Sequence, residues 1–68
     1  MHSIGQVIRK NRKKMKLTQK ELALYANVSP KFISELENGK ETIELDKLYN
    51  VLKVFDLTLK VVSYKEGE

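Results

Sequence analysis

The chain has no cysteine, one histidine and one proline in 68 residues. Without cysteine there is neither a disulfide framework nor a thiolate zinc site to hold a small fold together. His2 stands alone near the start of the chain, and a terminal role without catalysis is expected of it. No Ser-His-Asp set, metal-ligand spacing or glycine-rich phosphate loop can be assembled, so the expectation is a non-enzyme with no cofactor and no metal. The acids Glu35, Glu37, Glu41 and Glu44 cluster in sequence, but helix-end and surface roles account for them. No apolar run approaches the roughly 20 residues that span a membrane, and no signal-peptide pattern opens the chain. A soluble cytoplasmic protein is the expectation. A chain of this length builds one modest core and buries only about 60% of its unfolded surface, so it gains much from pairing.

Acids are also missing from the first twenty residues. That stretch carries Arg9, Lys10, Arg12, Lys13, Lys14, Lys16 and Lys20, a charge of +7, while residues 21–68 carry six bases and nine acids. A positive block on a near-neutral remainder attracts polyanions, with nucleic acid first and an anionic membrane surface second. Residues 4–16 lack the large aromatic face of membrane-surface helices, which disfavours the second.

What is present reads as helices with sharp boundaries. Ile4, Val7, Ile8 and Met15 fall near one side of a 3.6-residue repeat, which predicts an amphipathic helix over 4–15. In "LTQKELALYANV", Thr18 followed three residues later by Glu21 is a capping-box signature. Leu22, Ala23 and Ala26 form an inner face, and Asn27 suits a left-handed stop. Ser29 is a good N-cap and Pro30 a good first helical residue, so a third helix is predicted to run to about Asn38, with Gly39 at its left-handed end. Ile33 and Leu36 face inward. A fourth helix is predicted over about 44–55, with Leu45, Leu48, Leu52 and Phe55 on one stripe. Beyond it, Leu57, Leu59 and Val61 alternate with Thr58 and Lys60, the period of a half-buried strand. No repeat or linker interrupts the chain, so residues 1–68 are read as a single domain.

Residues 18–38 thus form two short helices joined by a tight turn, the plan in which the second helix enters the DNA major groove. The elements "LTQKELA", "NVSPKFISELENGK" and a further amphipathic helix, in that order, closely resemble the Cro/CI-type (Xre) helix-turn-helix family over nearly all of residues 4–55. The resemblance implies a mostly α, four-to-five-helix lambda-repressor-like DNA-binding domain that contacts double-stranded DNA. Carried over by position, it implies that Gln19 bonds a backbone phosphate and braces the recognition helix. Thr18, Asn38, Lys40 and Arg12 are further expected backbone contacts, of the kind that fix register without reading sequence. Base reading falls to Ser29, Pro30, Lys31, Ser34 and Glu35, where Lys31 suits guanine O6 and N7 and Glu35 suits cytosine N4. Better-known phage repressors often carry glutamine where Pro30 stands, so readout there is apolar or absent. Phe32 either meets a thymine methyl or, as favoured here, packs on the neighbouring helix. The resemblance also implies an ion pair between Arg12 and Glu37.

The run from the fourth helix into "LTLKVV" is similar to HipB-type antitoxin repressors. There, strands of two protomers pair as an intermolecular sheet, which implies a dimerisation strand over about 57–64 built on Leu57, Leu59 and Val61. Antiparallel self-pairing would satisfy the strand edges and bury those side chains across the joint. The expected function is a homodimeric repressor on a palindromic operator, with a HipA-like kinase as a possible toxin partner. A restriction–modification controller or prophage regulator, and a protein-interaction scaffold without specific DNA binding, are the alternatives.

Overall fold

The computed structural model describes residues 3–60. His2, Val61 and the rest of the expected strand up to residue 64 lie outside them. Four helices occupy the described residues: α1 (Ile4–Lys14), α2 (Gln19–Ala26), α3 (Pro30–Glu37) and α4 (Leu45–Val54). Three begin on a hydroxyl cap. Ser3 and Gln6 form a reciprocal box at α1, and Thr18 and Glu21 form the expected one at α2. At α3 the Ser29 hydroxyl accepts from the Phe32 N–H at 3.0 Å, and Pro30 opens the first turn. Each cap satisfies a donor that the helix itself leaves without a partner. Glu44 precedes α4 without a side-chain cap bond.

All four helices end in the same way. A residue with left-handed backbone follows each one: Lys16 (φ 59°), Asn27 (φ 58°), Gly39 (φ 87°) and Asp56 (φ 59°). The N–H of the next residue then donates to a carbonyl five positions back: Leu17 to Arg12, Val28 to Ala23, Lys40 to Glu35 and Leu57 to Leu52. This is the Schellman closure, which reverses the chain and satisfies terminal carbonyls together. Repetition of that device is what lets 58 described residues hold four helices.

The core is Ile8, Leu22, Ala23, Ala26, Phe32, Ile33, Leu36, Leu48, Val51 and Leu52. Helix α2 packs on both α3 and α4, and α1 packs on α3. Phe32 lies in this core, so its aromatic ring packs inward, the favoured of the two expectations. Two predicted faces need correction. Ile4 (41% exposed), Val7 and Met15 on α1, and Leu45 (59%) on α4, face outward, and Phe55 is half-buried. On α1 the inward residues are Gly5, Ile8 and Arg12, and on α4 Val51 joins Leu48 and Leu52.

Gly5 explains the rotation of α1. A Cβ built there would overlap the Leu36 carbonyl oxygen, so α1 and the end of α3 meet backbone to backbone. An apolar stripe of larger side chains at that line would hold the helices apart, and it is turned aside.

Of the expected terminal strand, only residues 57–60 are among the described residues. Leu57 and Leu59 are half-buried and packed against the core, while Thr58 and Lys60 are exposed. The two-residue alternation is therefore present, but residues 57–60 carry no strand pairing. A ladder needs a second edge, and among the described residues of one chain there is none.

Candidate nucleic-acid interface

The sequence of α3 divides cleanly around its axis. Phe32, Ile33, Leu36 and Glu37 are buried, whereas Pro30, Lys31 and Asn38 are exposed and Ser34 and Glu35 half-buried. At 3.6 residues per turn, the five outward positions span an arc of about 140°. Ser29, exposed at the cap, extends the same face. All the expected base-reading residues, Ser29, Pro30, Lys31, Ser34 and Glu35, therefore share one polar surface, with Asn38 at its far end. The side chains are short or flexible, so a groove floor can approach the helix closely.

The edge of this arc, beside Pro30, is anchored by charge at Glu37. Arg12 Nε donates to Glu37 Oε2 at 2.7 Å and Nη2 donates to Oε1 at 3.0 Å. Arg12 Nη1 donates to the Leu17 carbonyl at 2.8 Å, and Gln19 Nε2 donates to Glu37 Oε1 at 3.0 Å. The Glu37 side chain is only 2% exposed and that of Arg12 11%. One carboxylate thus ties α1, the start of α2 and the end of α3 into a fixed corner.

The electrostatics follow from those partners. Burial pushes the Glu37 carboxyl up, but hydrogen bonds from Arg12 and Gln19 and the charges of Arg12 and Arg9 outweigh it, and its pKa falls below the usual carboxylate range. The hydrogen bond to Glu37 raises the Arg12 pKa above its ordinary value against an opposing effect of burial, and the Glu37 charge adds to the rise. Three of the five guanidinium N–H donors of Arg12 are engaged inside the protein, which leaves at most two for a phosphate.

The other expected backbone contacts lie around this corner. Thr18 is exposed, and its hydroxyl oxygen accepts from Glu21 N–H while the hydroxyl proton stays available to donate. Gln19 has a second amide N–H beyond the one given to Glu37. Lys40 is exposed just past Gly39, and its Nζ lies 3.2 Å from Glu35 Oε1. The structure thus joins one expected base reader to one expected phosphate contact, a pairing that sequence reasoning missed. Its signal was available: acid and base five positions apart around a glycine stop meet whenever that stop takes the Schellman form. Gly5 was missed too, and the signal there was its spacing of three and seven from Ile8 and Arg12. Of the basic block, Arg9, Lys10, Lys13, Lys14, Lys16 and Lys20 are exposed, and Arg12 alone is buried.

Among the described residues, no helix is long and apolar enough to cross a membrane. The helix-turn-helix family model matches residues 8–62. Over 60 residues the chain is 37% identical to the uncharacterized HTH-type transcriptional regulator y4mF of Sinorhizobium fredii, covering 88% of this chain and 79% of that protein. It is 40% identical to the HTH-type transcriptional repressor RghR of Bacillus subtilis, across 98% of this chain but only half the length of the repressor. In fold it is similar to a solved chain of a HipA-HipB-O2-O3 complex, with a TM-score of 0.77 at 22% identity over 96% of both chains.

Proposed function

The chain belongs to the helix-turn-helix family of DNA-binding transcriptional regulators, and from that premise we propose that it is a repressor acting as a homodimer on an inverted-repeat operator. The observation that carries this reading is the polar face of α3, held at a fixed angle by the Glu37 corner and presented beside the capped start of α2. On this reading Ser29, Pro30, Lys31, Ser34 and Glu35 meet base edges, while Thr18, Gln19, Asn38, Lys40 and the remaining donors of Arg12 meet phosphates. The exposed lysines and Arg9 add a field that draws the duplex in. Repression as the sign of regulation is supported by the likeness to RghR, a repressor of which this chain matches half.

Dimerisation supplies what one short helix lacks. Two copies related by a two-fold axis present two α3 helices, which fit half-sites about 34 Å apart, one turn of DNA. Leu57 and Leu59, half-buried in a single chain, continue toward Val61 in the two-residue rhythm suited to pairing with a second copy. An antitoxin role is a second reading, favoured by the match in fold to a HipA-HipB assembly across 96% of both chains. In that case a HipA-like kinase is the partner.

Selection from a random-sequence duplex pool, with sedimentation of the same samples, tests the proposal. An enriched inverted repeat bound by two protomers is expected, and truncation after Asp56 is expected to lower both dimer stability and operator affinity. A lone protomer under all conditions, or no enrichment, would overturn it and leave a protein-interaction scaffold as the better account.

A further inference from the structure

The four Schellman closures differ in what their side chains do. In this motif the residue after the left-handed position lies beside the residue five places back, and an apolar contact often accompanies the backbone bond. Val28 beside Ala23 and Leu57 beside Leu52 are apolar pairs, and at α1 the Arg12 guanidinium reaches the Leu17 carbonyl. At α3 the corresponding pair is Lys40 and Glu35, joined by the backbone bond at 3.0 Å and by the side-chain ion pair at 3.2 Å. The ionic version stands only at the helix that presents the polar face. Its side chains are 47% and 35% exposed, open to an incoming ligand.

We propose that the Glu35–Lys40 pair is a partner-exchange latch that sets discrimination between operator and other DNA. The inference rests on the DNA-reading role of α3 given above. A duplex of arbitrary sequence reliably offers phosphates at this corner. A phosphate that takes Lys40 strands the Glu35 carboxylate, unpaired, against a negatively charged backbone. The pair itself is weak because it is exposed, so breaking it is not the obstacle; the abandoned carboxylate is. Where the base on the strand facing Glu35 is cytosine or adenine, its exocyclic amine (N4 or N6) gives the carboxylate a donor as Lys40 moves to phosphate, whereas guanine or thymine in that place presents only acceptors. Both charges are then satisfied at once. Glu35 thus penalises every site that places guanine or thymine against it, and the closure at Gly39 enforces the arrangement by holding Lys40 beside Glu35.

The test compares wild type, Glu35→Gln, Lys40→Gln and the double variant on a short random-sequence duplex and on the selected operator across a salt series. Glu35→Gln is expected to bind the random duplex more tightly, with a log–log salt slope steeper by about 0.9, one additional phosphate contact. Its preference for operator over random duplex should fall. In the Lys40→Gln background the same change should leave the slope unaltered. Thermal melts accompany each variant, and both side chains are surface groups whose backbone closure persists without them. An unchanged slope and random-duplex affinity in Glu35→Gln would overturn the latch while leaving an enriched operator to support the repressor. A slope that steepens equally without Lys40 would reduce Glu35 to simple repulsion and also overturn it. If wild type binds neither duplex, the reading of α3 falls and the latch with it.

Discussion

Between Thr18 and Lys40 both ends of each helix are closed by a residue within five positions, whereas α4 is closed locally only at its end, and Leu57 and Leu59 beyond it rest on distant parts of the core. In the first region Thr18 and Glu21 seal the start of α2, Asn27 turns its end, Ser29 seals α3 and Gly39 turns that end. In the second, α4 begins without a side-chain cap, and Leu57 and Leu59 lie against the core without a pairing edge. The ends of the helix-turn-helix pair are thus set by local instructions, while its angle is held by the Glu37 corner, which reaches Arg12 on α1.

The largest expected effect comes from attacking the one long-range tie of the first region. Glu37→Ala leaves the Arg12 guanidinium buried without its carboxylate, and loss of one partner of such a pair costs about 3–5 kcal/mol. Denaturant unfolding should show that loss, and an unchanged midpoint would mean that α2 and α3 hold their angle without the corner. The pH dependence gives an independent check. A carboxyl whose folded pKa is depressed contributes stability that is present above its unfolded value, about 4.3, and lost as pH falls through the lower folded value. Wild type should therefore weaken with acid in that window. Glu37→Gln should start weaker and show a flatter decline there.

The same contrast decides what could be read from sequence. Caps and stops are short-range events, so Thr18, Glu21, Asn27, Ser29, Pro30 and Gly39 declared the α2–α3 pair before any coordinates. The polar arc of α3 followed from helical period alone. Faces set by distant packing were less legible. On α1 the larger apolar side chains pointed to Ile4, Val7, Ile8 and Met15, but the close approach of Gly5 to Leu36 turned the helix so that of these only Ile8 faces inward, together with Gly5 and Arg12. On α4 Leu45 belongs to the predicted stripe by spacing and yet is exposed at the uncapped end. The Glu35–Lys40 pair becomes legible only once Gly39 is known to close in the Schellman form, which brings residues five apart together.

Capping offers a smaller and more symmetrical test. Thr18→Ala removes the acceptor for Glu21 N–H and should cost about 1 kcal/mol. Glu44→Ser should move in the opposite direction, by about 0.5–1 kcal/mol, by giving α4 the hydroxyl cap it lacks. The Glu44–Lys47 pair lost in that change is exposed on both sides and contributes little. Thermal melts of the two variants and their combination should show the effects adding, because the sites share no partner. If Glu44→Ser is neutral, the uncapped start of α4 is not the weakness the comparison makes it.

The smallest effects probe the helix stops, where different residues serve one backbone conformation. Gly39 adopts φ 87° at α3, while Lys16 and Asp56 adopt φ 59° at α1 and α4. A side chain at left-handed φ costs about 1–2 kcal/mol, and glycine removes that cost while adding about 0.5–1 kcal/mol of chain entropy. Lys16→Gly and Asp56→Gly should each therefore gain a net of about 0.5–1 kcal/mol. Gly39→Ala should lose a similar amount. Nothing lies within 4 Å of a Cβ added at Gly39, so its loss reports backbone conformation alone, without a packing clash. Equal and opposite shifts in unfolding midpoint would establish that the three stops are energetically one device. A larger loss at Gly39 would instead assign the excess to the Glu35–Lys40 contact, since that closure alone carries an ion pair between its two residues, and adding Lys40→Gln should then abolish the difference.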